Sequence, residues 1–442
     1  MTLQSVVVDL ATRNVKSVPT AELTVSSRHT GTFLRGQGFF SSAFTIRNEH
    51  GTFLLGLDAH YQRLLQSYER LYQRRDFPIT YKEFCEYIDV AIEKNKTANE
   101  HEQRLHCSIF CLAGPGRVQK TSSGSYANGF GSNLTTFIVS MNTLASKPDW
   151  CYSTGIHALS TAYQRPHASA KPSQYWGGID GQHVLDAINT AVCCAVYKYK
   201  WSVMQAREWV LNHYQKMTIV DQEEFRLVFN SLFAGLFHNA LDTCKVELGN
   251  VSPEIAELVP KTLDVLKQSF QTMCVDGFEA CYHETIFRTP QQESYLLEGS
   301  TFSLLGIKDN TCIFLPLQGN TNQAEDLNTG YILESTTMRM LHYVAKQYNI
   351  PHVIEPISYN DIQTLQALYC VSTTRFKFAE NRYYLQPCTL LDSYALSAEE
   401  TPVYIQLMQA FTEFVSHYTY KTQADLSFVV SEKEADIKKK LS

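Results

Sequence analysis

Most familiar catalytic arrangements are missing from these 442 residues. His283 and Glu284 are adjacent, but no second histidine follows at the spacing of a His-Glu-x-x-His zinc helix. The 14 histidines are scattered, and none pairs at i, i+4 beside a cysteine, so the sequence offers no metal site of the usual spacing. Gly36 and Gly38 lack the third glycine and the strand–turn–helix setting of a dinucleotide loop. Gly114, Gly116, Lys120 and Thr121 do not complete the Gly-x-x-x-x-Gly-Lys-Ser/Thr phosphate loop. What remains is the intrinsic chemistry of single side chains, and no local spacing singles out one lysine, carboxylate or arginine from the rest. A lysine amine can add to an aldehyde, a carboxylate can hold a neighbouring nitrogen protonated, and a guanidinium can grip a phosphate through two parallel N–H bonds. Lys171, Glu298 and Arg63 are such groups, but each alone reads as an ordinary loop, strand-end or helix residue.

The elements around them follow from hydrophobic periodicity. Residues 39–46 (FFSSAFTI) are apolar and β-prone, 48–51 is a turn, and 52–55 returns as the second strand of a hairpin. From Asp58, read as the N-cap, Leu64, Leu65, Tyr68 and Leu71 recur at helical spacing, and a second helix is expected over 81–94. Strands are expected at 104–113, 134–140 and 157–162, with a Gly- and Ser-rich loop at 114–133 and a linker at 141–150. Four helices are expected within 184–273, namely 184–201, 203–216, 221–241 and 253–273. Strands at 279–283, 295–297, 302–308, 352–356 and 367–371 then alternate with helices at 333–348 and 402–418. Lys438, Lys439 and Lys440 read as a solvated tail.

Composition bounds the rest. The chain is 44% hydrophobic and 19% charged, with a formal net charge of -6, as in an ordinary globular protein of about two to four domains. The slight acidity argues against a nucleic-acid partner. No apolar run reaches a membrane-spanning length, and the first residues do not resemble a secretion signal, so no membrane association is expected. The 12 cysteines include no Cys-x-x-Cys and read as reduced thiols of a cytoplasmic protein.

Five segments, in order, resemble the fold-type IV family of pyridoxal 5'-phosphate (PLP) enzymes, which includes branched-chain and D-amino-acid aminotransferases and aminodeoxychorismate lyases. GQGFFSSAF at 36–44 is similar to that family's G-D-G-x-F-E-T-x-R. LDAHYQRLLQSYERL at 57–71 is similar to H-x-x-R-L-x-x-S-x-x-x-L, and RPHASAKPSQY at 165–175 to P-x-x-x-x-K-x-x-N-Y. LEGSTFSL at 297–304 is similar to x-E-G-S-T-x-N-I, and IPHVIEPIS at 350–358 resembles the strand after a conserved helix. The implied fold class is α/β (α+β) with two domains: a small α/β domain over 1–140, and a larger pseudo-barrel domain over 141–176 and 260–442. Residues 177–259 fall outside the resemblance and read as a helical insertion.

The resemblance implies a site. Lys171 is the residue that attaches to the cofactor aldehyde and carries the proton in catalysis. Glu298 faces the ring nitrogen, Arg63 the phosphate, and Tyr175 the ring hydroxyl. NTGYIL at 328–333 matches the family's L-P-G-I-T-R phosphate turn, with Ile332 where the threonine stands, and VSTT at 371–374 matches T-G-T-A through Thr373. Ser303, Ile332 and Gln174 depart from the family's usual residues. The implied activity is a PLP-dependent aminotransferase, a homodimer acting on an amino acid and a 2-oxo acid. A lyase of the aminodeoxychorismate type is the alternative, favoured by the short Lys171-to-Tyr175 spacing and by the lack of Glu after Phe40. A non-catalytic binding or assembly protein that reuses the fold is the third reading.

Overall fold

The computed structural model describes residues 2–24, 32, 37–102, 104–114, 118–120, 126–128, 133–144, 147–163, 170–172, 176–238, 253–259, 282–290, 294–315, 332–333 and 335–419. Its first sheet is set by period-2 alternation. The strands β1 (Gln4–Asp9), β2 (Val15–Pro19), β3 (Phe39–Asn48), β4 (Gly51–Leu54), β5 (Leu105–Ala113) and β8 (Leu134–Thr143) form six strands in the order β2-β1-β8-β5-β3-β4. A small separate pair, β6 (Val118–Lys120) and β7 (Tyr126–Asn128), lies between β5 and β8 in sequence. One face of the sheet carries Val6, Phe39, Ala43, Cys107, Ile109, Phe137 and Val139, which share a core with two helices. The other face is more polar: Ser5, Ser140, Ser108 and Ser42 stand in register across four strands.

Helix α1 (Leu57–Tyr72) buries Leu57, Tyr61, Leu64 and Tyr68 in that core. Its N-cap is Gly56, not the expected Asp58, which lies in the first turn. The turn needs φ +71° there, and a Cβ on Gly56 would approach Met340 Sδ to 3.1 Å, so glycine suits the position twice over. Helix α2 (Tyr81–Lys94) has the expected bounds and opens with a Thr80/Glu83 capping box. Helix α3 (Lys96–Glu102) follows. The expected linker at 141–150 begins late, because β8 continues to Thr143. The short helix α4 (Trp150–Ser153) ends that stretch.

The second sheet has ten strands. Its main path runs β11 (Leu296–Gly299), β10 (Glu284–Arg288), β9 (Ile156–Ala162), β17 (Arg382–Leu391), β15 (Ala367–Val371), β12 (Ser303–Lys308), β13 (Thr311–Phe314), β14 (His352–Ile354). Two short strands, β16 (Phe376–Ala379) and β18 (Tyr394–Ala395), pair with β17. The strands β13, β16 and β17 were not foreseen from periodicity. Two-residue turns make them: Asp309 and Asn310, and Glu380 and Asn381, all have φ between +48° and +60°, the pattern of type I′ hairpins. Of the strand expected at 279–283, only 282 and 283 are described, and β10 follows them. The backbone of Tyr282 is engaged by Asn189, whose amide donates to Tyr282 O and accepts from Tyr282 N, and parallel pairing with β9 begins only at Glu284.

Helices α5 (Trp176–Tyr199), α6 (Val203–Lys216), α7 (Ile219–His238) and α8 (Pro253–Leu258) pack through Ile188, Val192, Val210, Phe225, Phe229 and Leu258. The group docks on the second sheet at Gly181, where a Cβ would lie 3.1 Å from Thr285 Cβ. Of the helix expected over 253–273, only 253–259 is described. A third core gathers around α9 (Thr336–Gln347) and α10 (Pro402–Ser416), with Leu341, Val344, Tyr404, Leu407 and Phe411 against Leu305 and Tyr369. The fold is thus mixed α/β, with two curled sheets. Among the described residues, no helix is long and apolar enough to cross a membrane.

Candidate active site

Helix α1 places one side of the site. His60, Arg63 and Ser67 recur at i, i+3 and i+7, so they share a face, and all three are buried. Ser67 Oγ accepts from the backbone N–H of Lys171 at 3.1 Å. The carbonyl of Lys171 accepts from Phe40 N at 3.0 Å, and Phe39 bridges to Pro172. The lysine segment is therefore stitched between β3 and α1. Its amine lies 4.7 Å from the centroid of the Phe40 ring.

Lys171, Arg63 and Glu298 line one cavity of about 300 Å³, at the lower end of the range for small-molecule sites. Glu298, at the centre of β11, is 4% exposed, and Arg63 is 6% exposed. Charged side chains are seldom buried this far without a function or a partner. Glu298 Oε2 accepts from Leu333 N at 3.4 Å. His60 is fully buried, and its Nδ1 lies 2.8 Å from Ser41 Oγ. Burial, with Arg63 and Lys171 nearby, holds its pKa well below the usual histidine value.

Two hydroxyl-rich turns close the cavity. The first is Ser372, Thr373 and Thr374 after β15. Thr373 Oγ1 donates to Ser42 O at 3.0 Å, which ties the second sheet to the first. The second turn is Ser335, Thr336 and Thr337. Ser335 caps α9, its side chain accepting from Met338 N at 3.3 Å. Helix α9 therefore opens three residues later than the expected start at 333. Ile332 lies before this turn, buried with Phe287 and Leu297, and it is not one of the cavity-lining residues. Leu333 lines the cavity, and beside it stand the hydroxyls of Ser335, Thr336 and Thr337. Their signal was present in the sequence, as a Ser before an amphipathic run is an N-cap signature. Tyr175, and the glycine at 330, lie outside the described residues.

Four further lining residues were assigned no role from the sequence: Ser42, Thr301 and Phe302, which stand in recognisable segments, and His106, which does not. His106 carries no local motif, and only the register of β5 brings it there. Its pKa is lowered by burial and then by the charge of Lys171. Thr301 and Phe302 are held from behind by Arg375, which donates to Thr301 Oγ1 at 3.2 Å and stacks 4.3 Å over the Phe302 ring. Arg375 in turn pairs with Glu284 and donates to Gln386.

Two curled sheets with one cavity walled by both are the architecture of fold-type IV aminotransferases. Three solved structures carry the likeness. The branched-chain aminotransferase of Escherichia coli aligns with a TM-score of 0.54 at 14% identity, covering 94% of this chain and 95% of that one. The branched-chain aminotransferase of the thermophilic archaeon Thermoproteus uzoniensis, solved with norvaline, gives 0.53 at 13% over the same shares. That of Thermobaculum terrenum, in its PLP form, gives 0.51 at 12%, over 96% and 97%. At these identities the likeness establishes the fold. No protein-family model matches the sequence, and no curated protein matches it.

Proposed function

We propose that the chain is a PLP-dependent aminotransferase that moves an amino group between an amino acid and a 2-oxo acid. The observation that carries this reading is the meeting of Lys171, Glu298 and Arg63 in one cavity whose remaining polar lining is mostly hydroxyls. The donor set fits PLP. Arg63, the N–H groups at the start of α9 and the Thr337 hydroxyl suit a phosphate, and Thr373 stands beside them with its hydroxyl donated to Ser42 O. A buried carboxylate at Glu298 suits a protonated ring nitrogen, and the Lys171 amine suits an aldehyde. When bound, the cofactor supplies an electron sink for bonds at the substrate α-carbon.

The chain's own residues divide the remaining work. Lys171 Nζ is the amine that holds the cofactor and then carries the substrate's α-proton. Glu298 keeps a proton on the ring nitrogen by charge attraction. Phe40, against the lysine amine, keeps water from it. Ser67 and Phe40 fix the lysine backbone, so the amine swings from a set point. The reading includes a homodimer in the cytoplasm. The nine described cysteines are free thiols, eight of them buried, which suits a reducing compartment.

Purified protein is expected to absorb in the visible or near-ultraviolet, and borohydride should fix that band on the peptide containing Lys171. A colourless protein that gains no band with added PLP overturns the reading. Product analysis then separates two chemistries. A new amino acid marks an aminotransferase, whereas pyruvate released from an aminated chorismate marks a lyase.

A further inference from the structure

The cofactor reading leaves one wall of the cavity without a role. That wall belongs to the six-stranded sheet, where Ser42 of β3 and His106 of β5 line the space. Ser42 pairs with Ser108 and Phe44 with His106, so Ser42, Ser108 and His106 share one face. His106 Nε2 is shielded from solvent and has no hydrogen-bond partner among the described residues. Buried ring nitrogens are seldom left so, and a ligand group is a natural partner for one that borders a cavity. The His106 ring itself lines the cavity. Burial and Lys171 hold the ring neutral, so it offers one donor and one acceptor.

The charged groups near His106 are few. Arg63, Lys171 and Glu298 line the same cavity, and all three are used by the cofactor reading. Arg104 stands two residues earlier on β5, but its guanidinium lies 5.9 Å from the Phe44 ring and 5.6 Å from the Tyr383 ring, in a different recess. Asn142 of β8 is the residue opposite His106. No cation besides Arg63 and Lys171 lines this cavity among the described residues.

We infer that Ser42 and His106 bind the substrate's side chain and select an uncharged hydrogen-bonding group, a carboxamide or hydroxyl, over a branched aliphatic chain or a carboxylate. The inference rests on the aminotransferase reading. An aliphatic group leaves Nε2 unpaired. A carboxylate meets no cation of its own and shares the cavity with Glu298. A carboxamide both donates and accepts, which matches a hydroxyl beside a neutral imidazole. Sites built to bond a polar group reject analogues lacking it far more strongly than apolar pockets reject an extra methylene.

The test uses the full chain loaded with PLP and three unreactive acids: glutaramate, 4-methylvalerate and glutarate. Dissociation constants are read by calorimetry and by the shift each acid causes in the cofactor band. Glutaramate is expected to bind at least about 10-fold more tightly than either of the others. His106→Leu and Ser42→Ala should each shrink that ratio to about 2–3-fold while the cofactor band persists. If His106→Leu does not load cofactor, His106→Gln, which keeps a donor and an acceptor, should preserve the preference, and Ser42→Ala still tests the wall. A loaded wild type that binds 4-methylvalerate or glutarate as tightly as glutaramate overturns this inference alone, as does a preference that survives in Ser42→Ala and His106→Leu. A wild type that takes up no PLP overturns the aminotransferase reading and this inference with it.

Discussion

Arg375→Met keeps most of the side-chain stem at a key junction and removes its charge. Arg375 is 2% exposed. It joins Glu284 of β10 to Gln386 of β17 and holds Thr301 and Phe302 against the cavity. The Glu284 side chain is 14% exposed, so loss of the guanidinium strands a carboxylate that water reaches poorly. Breaking such a pair from one side costs about 3–5 kcal/mol, a range that includes the lost stacking on Phe302. That is a large share of the roughly 5–15 kcal/mol by which folded proteins are stable. Urea unfolding should therefore show a midpoint far below wild type with an unchanged slope. The paired variant Arg375→Met/Glu284→Leu removes the stranded charge and should recover at least about half of the loss, because apolar replacement of both partners is often neutral. PLP affinity should fall in the single variant, since Thr301 and Phe302 lose their support. A loss under about 1 kcal/mol in Arg375→Met, or a double variant no more stable than the single, would refute the account.

Three further outcomes are expected. Arg63→Lys keeps the charge but loses the paired N–H geometry, so PLP should bind about 10–100-fold more weakly in an absorbance titration. Ser335→Ala removes the cap of α9 and should cost about 1 kcal/mol in chemical unfolding, with weaker PLP binding as a second sign. The third concerns acid. His60 has its folded pKa well below 6.5, so below pH 6.5 the unfolded chain binds the proton and the folded chain does not. Stability should thus be intact above pH 6.5 and fall as the pH drops below it. His60→Gln should flatten that part of the unfolding profile, and an unchanged slope would show that another group controls it.

Much of the fold could be read because its strongest elements are locally encoded. Helix α2 has its capping box in the sequence, and α6 its Ser202/Gln205 box, and both fall within the expected bounds. The hairpin of β3 and β4 shows alternation on either side of a turn. Pairings over long separations were harder. Tyr282 falls in an apparent strand, but the Asn189 side chain, 93 residues away, takes its backbone. The strands β13 and β16 are four residues each, too short for periodicity to resolve. The same division holds at the site. Lys171, Glu298 and Arg63 stand in recognisable segments, and the cavity brings them together. The hydroxyls of Ser335, Thr336 and Thr337 follow the segment 328–333 and lie outside its resemblance. Ser42 stands in the segment 36–44 without a role of its own there, and His106 lies outside every recognisable segment, reaching the cavity through the register of β5.

The bond from Thr373 to the carbonyl of Ser42 spans the two sheets, while Phe40, two residues earlier on the same strand, binds the carbonyl of Lys171. One stretch of β3 therefore clamps both the lysine segment and a hydroxyl turn. Parting of the sheets breaks the Thr373 grip, whereas the lysine segment is held by Phe40 of β3 and Ser67 of α1, both on the first sheet's side. The Phe40 amide should therefore stay protected from hydrogen exchange through an opening that frees a bound small molecule.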